Sequence, residues 1–265
     1  MSVVADLITE SDRFDRLFTA PALAGWERPT PAPGWQVRHQ YAHLTSVFRL
    51  GRLAVTDPGA FRDTVSRYGP DFDAVVEGLV AEIVDRSPEV LLSQWRTERA
   101  ASQQALAASA PDRPVPWLAR PLPVSLLASA AQMELFAHGQ DLADTLGVVR
   151  EPTDRLRHVV AFAMTNHGYG WTVRDRTPPD VPFRFELTAP SGAVWTYGPA
   201  GADQRVTGPV QDFCLLVTRR RHRDDVALTV TGEIAGEWLT VAQAYRGGTG
   251  AGRRPGQFAG PRVSR

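Results

Sequence analysis

The stretch from Val124 to Leu146 constrains the fold more than any other part of the chain. Five prolines crowd residues 111 to 123 ahead of it, none interrupts it, and Gly147 follows at the position where a glycine ends a helix. A helix of this length has an apolar stripe to bury, and the segments around it supply partners of the same kind. Val4, Leu7, Ile8, Phe14, Leu17 and Phe18 recur at helical spacing in Val3 to Phe18, and Trp35 to Val55 is amphipathic after a proline-rich loop at 26 to 34. Shorter helices are predicted over Ala60 to Arg67 and Phe72 to Val84. Ser87-Pro88-Glu89 has the form of an N-cap with proline at the first helical position, opening a helix to about Ala110. One more helix is predicted from Thr153 to Thr172. Long helices joined by such loops predict an antiparallel bundle over residues 1 to 178.

The pattern changes after Pro178-Pro179. Phe183, Phe185 and Leu187 alternate with Arg184, Glu186 and Thr188, Pro190-Ser191-Gly192 makes a turn, and Ala193 to Tyr197 returns. Further strands are predicted at Gln204 to Thr207 and Val226 to Thr231, with short helices at Pro209 to Arg219 and Gly236 to Tyr245. These make a small α+β domain at 179 to 247. The arginine- and glycine-rich remainder, 248 to 265, is expected to be a disordered tail.

Composition excludes several functions. With 29 basic and 29 acidic residues among 265, the formal net charge is zero, which argues against nucleic acid or an anionic membrane as the main partner. No apolar run approaches the ~20 residues of a membrane span, and Asp6, Glu10 and Asp12 speak against a secretory signal. All basic side chains other than histidine are arginine, so there is no lysine for a phosphate loop or a Schiff base. The single cysteine, Cys214, lies in an apolar helical segment and is expected to be a buried core thiol. A reducing cytoplasm is the expected compartment, and any metal must be held by histidines and carboxylates.

Those residue types occur in a suggestive pattern. Glu134, His138 and Asp141 fall at i, i+4 and i+7 on one face of the 124–146 helix, beside Met133, Leu135 and Leu142. His39 and His43 form a second i, i+4 pair in the segment GWQVRHQYAHL. Facing helices of a bundle commonly build metal sites this way, and zinc accepts both imidazole nitrogen and carboxylate oxygen. Spacing alone leaves a plain Glu–His ion pair equally open. The run Arg219 to Arg223, with His222 inside it, is expected to be a solvated basic loop, and His158 and His167 to belong to helix packing.

Taken together, Gly34-Trp35-Gln36-Val37-Arg38-His39-Gln40-Tyr41-Ala42-His43-Leu44 and Glu134-Leu135-Phe136-Ala137-His138-Gly139-Gln140-Asp141 resemble the mycothiol-dependent maleylpyruvate isomerase family, within the DinB-like bundle superfamily. The resemblance implies an α+β protein, a DinB-like antiparallel four-helix bundle followed by a small α+β domain. It implies a divalent metal, zinc by preference, at His43, Glu134 and His138, and mycothiol as a thiol cosubstrate. The implied reaction is that of a metal-dependent isomerase or thiol transferase on a small electrophilic molecule. His39 stands where the family more often has aspartate and is expected to contact the substrate or a ligand, while Asp141, with Gln140, is expected to orient His138 or its helix. Two rival functions remain: a thiol-independent isomerase or cyclase of secondary metabolism, and a noncatalytic small-molecule-binding protein.

Overall fold

A computed structural model describes residues 2–118 and 120–258. The chain divides into two compact units, Met1–Arg150 and Glu151–Arg265.

Four long helices build the first unit: α1 (Val3–Ala24), α2 (Val37–Thr56), α5 (Pro88–Ala107) and α6 (Val124–Leu146), with the shorter α3 (Pro58–Ser66) and α4 (Phe72–Ala81) between α2 and α5. Helices α1 and α2 each pack on both α5 and α6, so the cyclic order is α1, α5, α2, α6. This is the four-helix bundle expected, and α6 begins and ends where the sequence places it. Ser87 caps α5 as predicted, its Oγ accepting from Val90 N, and Gly147 takes the left-handed conformation after α6 at φ 70°. The proline-rich stretch 111 to 123, expected as an extended loop, carries two short strands that pair antiparallel, β1 (Pro114–Val115) with β2 (Leu122–Pro123). In the core, Trp95 is fully buried, packs edge-on against Phe14 and Phe48, and donates its indole N–H to Asp15 Oδ1 at 2.7 Å. The polar end of the largest side chain is therefore satisfied while its rings fill the bundle.

The second unit begins earlier than the sequence boundary at 178. Its first two helices, α7 (Leu156–Thr165) and α8 (Tyr169–Thr172), were expected as one helix of the bundle. Thr165 Oγ1 and Asn166 Nδ2 both donate to Phe162 O, side-chain bonds that compete with the helix ladder and end α7. The apolar faces of α7 and α8 are covered within this unit. Helix α7 packs on α9 (Val210–Val217), and α8 packs on α10 (Glu233–Val241), with Gly170 so close that a Cβ there would lie 1.9 Å from Val241 O.

The remaining elements form a four-stranded sheet of order β4 (Val194–Tyr197), β3 (Phe183–Thr188), β5 (Gln204–Pro209), β6 (Thr229–Thr231). The central β3–β5 pair is parallel and the two outer pairs are antiparallel. The predicted alternation holds: Phe183, Phe185 and Leu187 are buried, and both phenylalanines meet Trp238 of α10, while Phe185 also meets Phe213 of α9. Of the segment expected to be a disordered tail, residues 259–265 lie outside the described residues. Residues 248–258 make specific contacts, among them Gly256 N donating to the Asp225 carboxylate at 2.8 and 2.9 Å.

Candidate metal centre

Helix α2 opens at Val37, and its inward face carries the buried Gln40, His43 and Leu44. Helix α6, packed against it, places Glu134 and His138 one turn apart. His43 and His138 are each 8% exposed. Each presents its Nε2 to the same Oε2 of Glu134, at 3.2 Å. Among the described residues, these three make a group whose ligand atoms all lie within 4.8 Å of one another. A tetrahedral ion with bonds of ~2.0–2.1 Å sets neighbouring ligand atoms about 3.4 Å apart. The three residues expected as ligands, His43, Glu134 and His138, are thus brought together.

A hydrogen-bond chain fixes the protons. The carbonyl of Trp35 can only accept, so Thr30 Oγ1 donates to it, at 3.0 Å. That hydroxyl then accepts from Gln40 Nε2 at 2.9 Å, which leaves Gln40 Oε1 to accept from His138 Nδ1 at 2.5 Å. With the proton on Nδ1, the neutral ring of His138 turns a lone pair toward an anionic carboxylate oxygen 3.2 Å away. Two acceptors at that separation need a cation between them or a second proton on the ring. A divalent metal satisfies the first condition. With a second proton on the ring instead, hydrogen bonds from His138 and His43 would outweigh burial, which by itself raises Glu134, and hold the carboxyl well below its usual range. The donor set and its protonation therefore fit a divalent cation.

Trp35 covers the cluster. Its ring lies 5.3 Å from that of His43 and 5.8 Å from that of His138, nearly parallel to the latter. His39 is not in the trio. It stands at the third position of α2, where its Nδ1 accepts from Gln36 N at 3.1 Å and caps the helix. Burial, reinforced by the Arg38 charge, lowers its pKa and favours the neutral ring with the proton on Nε2. Asp141 is fully buried further along α6, outside the trio. Between them, Gly139 leaves room for the Arg150 guanidinium, which would lie 3.2 Å from a Cβ at that position and which donates to Phe136 O. Gln140 bonds instead to Asp144.

Sequence reasoning assigned no role to Gln40 or Thr30. The signal was a glutamine three residues before His43, on the inward side of an amphipathic helix. Partners of this kind typically set metal affinity by 10- to 100-fold. Gln40→Leu is accordingly expected to weaken zinc binding by about that factor, measured in competition with a chromophoric chelator. Unchanged affinity would remove Gln40 from the site.

Residues 7–143 match the family described as the mycothiol maleylpyruvate isomerase N-terminal domain, and residues 179–231 match one described as wyosine base formation. An uncharacterized protein of Mycobacterium tuberculosis, found in strains H37Rv and CDC 1551, is 40% identical over 250 residues, covering 94% of this chain and 97% of the relative. A crystal structure of mycothiol-dependent maleylpyruvate isomerase shares the fold at TM-score 0.51 and 16% identity, covering 82% of this chain and 90% of that one. A histidine-to-alanine mutant of that enzyme gives 0.52 and 17%, covering 81% and 86%. The fold, a four-helix bundle followed along the chain by a small α+β unit, is accordingly the one shared with these structures.

Proposed function

Because the chain belongs to the mycothiol maleylpyruvate isomerase N-terminal domain family, we propose that it is a metal-dependent enzyme bringing a low-molecular-weight thiol to a small electrophilic molecule, as an isomerase or thiol transferase. Zinc at His43, Glu134 and His138, and mycothiol as the thiol, are the reading we adopt. The observation that carries it is the convergence of His43 Nε2 and His138 Nε2 on one oxygen of Glu134, with His138 Nδ1 tied to Gln40, an arrangement that a divalent cation would satisfy. When bound, a divalent metal would lower the pKa of a thiol and fix it beside the substrate.

The chain's own residues have separate tasks in this reading. Gln40 holds the His138 tautomer, and Trp35 shields the two imidazoles from water on one side. His39, neutral and protonated on Nε2, donates to an oxygen of the substrate, and buried Asp141 positions α6. The thiol comes from outside, because Cys214 is fully buried and burial pushes its pKa far up, which suppresses the thiolate. An exogenous thiol kept reduced is consistent with a cytoplasmic enzyme.

Turnover of an unsaturated carbonyl acid by zinc-loaded protein is expected to require mycothiol. In cobalt-loaded protein, added thiol should produce a near-ultraviolet charge-transfer band. A substrate turned over equally fast with and without thiol would overturn the thiol reading and leave the thiol-independent isomerase in its place.

A further inference from the structure

The proline-rich segment ahead of α2 folds into a hairpin loop. Val37 N donates to Arg28 O at 3.0 Å, Pro29 bridges Gln36, and Thr30 N donates to Trp35 O at 2.7 Å. At the tip, Trp35 N donates back to Ala32 O at 3.0 Å across Pro33 and Gly34, and Gly34 has φ 77°. Proline followed by a residue of positive φ is the signature of a type II turn, and glycine takes that second position without strain. The turn delivers Trp35, half-buried, against the rings of His43 and His138, while Pro33 and Gly34 stay exposed.

Thr30 joins this hairpin to a candidate ligand. Its backbone N–H and its hydroxyl both donate to the Trp35 carbonyl, so it grips the strand that carries the indole. The same hydroxyl accepts from Gln40 Nε2, and Gln40 Oε1 holds His138 Nδ1. Gln40 is fully buried, so an amide group that loses its partner there gains no water in exchange. Three side-chain hydrogen bonds therefore run from the backbone of the covering residue to the imidazole. A His138 ring held in one orientation keeps Gln40 turned toward Thr30. A hairpin that lifts takes Thr30 away from Gln40 and frees the ring.

We propose that Thr30 is a positioning residue that couples the Trp35 hairpin to the metal, so that an occupied site holds the hairpin down more firmly and a lifted hairpin loosens the metal. The inference rests on His43, Glu134 and His138 holding a divalent ion. Coupling of this kind is reciprocal: whatever factor closure adds to metal affinity, the metal adds to closure. The indole then keeps water from a loaded site, which is the usual task of a closing loop.

The test joins amide hydrogen exchange of the full chain, with and without zinc, to zinc affinity from chelator competition. Zinc is expected to slow exchange of the Thr30 and Trp35 amides by about fivefold or more. Thr30→Val keeps the branched shape and removes the hydroxyl. It should erase most of that protection and weaken zinc by about three- to tenfold, the worth of one hydrogen bond. Thr30→Ser restores the hydroxyl without the methyl and should restore both, which a packing role would not allow. Gly34→Ala strains the turn without meeting any neighbouring atom, and zinc should weaken there too. Should Thr30→Val fail to fold, Gly34→Ala decides. Zinc that binds without slowing these amides, zinc affinity unchanged in either Thr30→Val or Gly34→Ala, or Thr30→Ser as weak as Thr30→Val would overturn the coupling and leave the metal site standing. An unaltered chain that binds no zinc would overturn the metal reading itself, and the coupling with it.

Discussion

Zinc titrated into the His138→Ala protein is expected to bind at least about a thousandfold more weakly than to the unaltered chain, because one of three protein ligands is gone. The loss should exceed that in Gln40→Leu, where the ligand survives and only its partner is removed. Helical circular dichroism should change little: α6 is buried along most of its length, and residues such as Leu127, Leu135 and Leu142 hold it in the bundle without the imidazole. Full zinc occupancy in His138→Ala would take the metal away from this trio. The comparison of the two variants also separates a ligand from a residue that acts through a ligand, since only the former should leave no specific site.

The largest loss of stability is expected from Trp238→Ala in the second unit. Its indole is fully buried against Phe183, Phe185 and Phe213, and its Nε1 donates to His167 O at 3.0 Å. Truncation removes the ring from this cluster and strands a carbonyl, and comparable core changes cost ~3–5 kcal/mol. Hydrogen exchange should show the amides of β3 losing protection, with the helices of Met1–Arg150 less affected. Protection of β3 equal to that of the unaltered protein would contradict this account of the core.

The bundle was legible because its helices are long and their boundaries carry chemistry of their own. Ser87-Pro88 and Gly147 work through local geometry, which a sequence states directly. The division between units was not legible at Arg150, because α7 and α8 have the same periodicity as bundle helices. Which surface covers them is decided by α9 and α10, far away in sequence. The metal trio could be picked out from spacing and family resemblance, since i, i+4 positions share a helix face. Gln40 and Thr30 could not, because the bonds that join them depend on how the proline-rich loop folds back over the start of α2. The run Arg219 to Arg223 was misjudged for a related reason. Arg219, Arg221, His222 and Arg223 are half-buried, not solvated. Their burial comes from Gln243 and from the C-terminal segment, neither of which is adjacent in the chain.

The four side chains Gln40, His43, Glu134 and His138 close a rectangle between two helices. Gln40 and His43 stand three residues apart on α2, Glu134 and His138 four apart on α6, and each crosses the gap to the other helix. The helical rise is ~1.5 Å per residue and ~5.4 Å per turn, so sliding α2 along α6 by one turn would take both crossings beyond hydrogen-bond range. Apolar contacts tolerate such a slip far better, because Leu and Ala surfaces repeat along a helix. The polar rectangle therefore acts as a detent, setting the axial alignment of α2 and α6 that the greasy interface leaves loosely specified. A chain that lost both crossings would keep its helices and lose the notch that tells them where to stop.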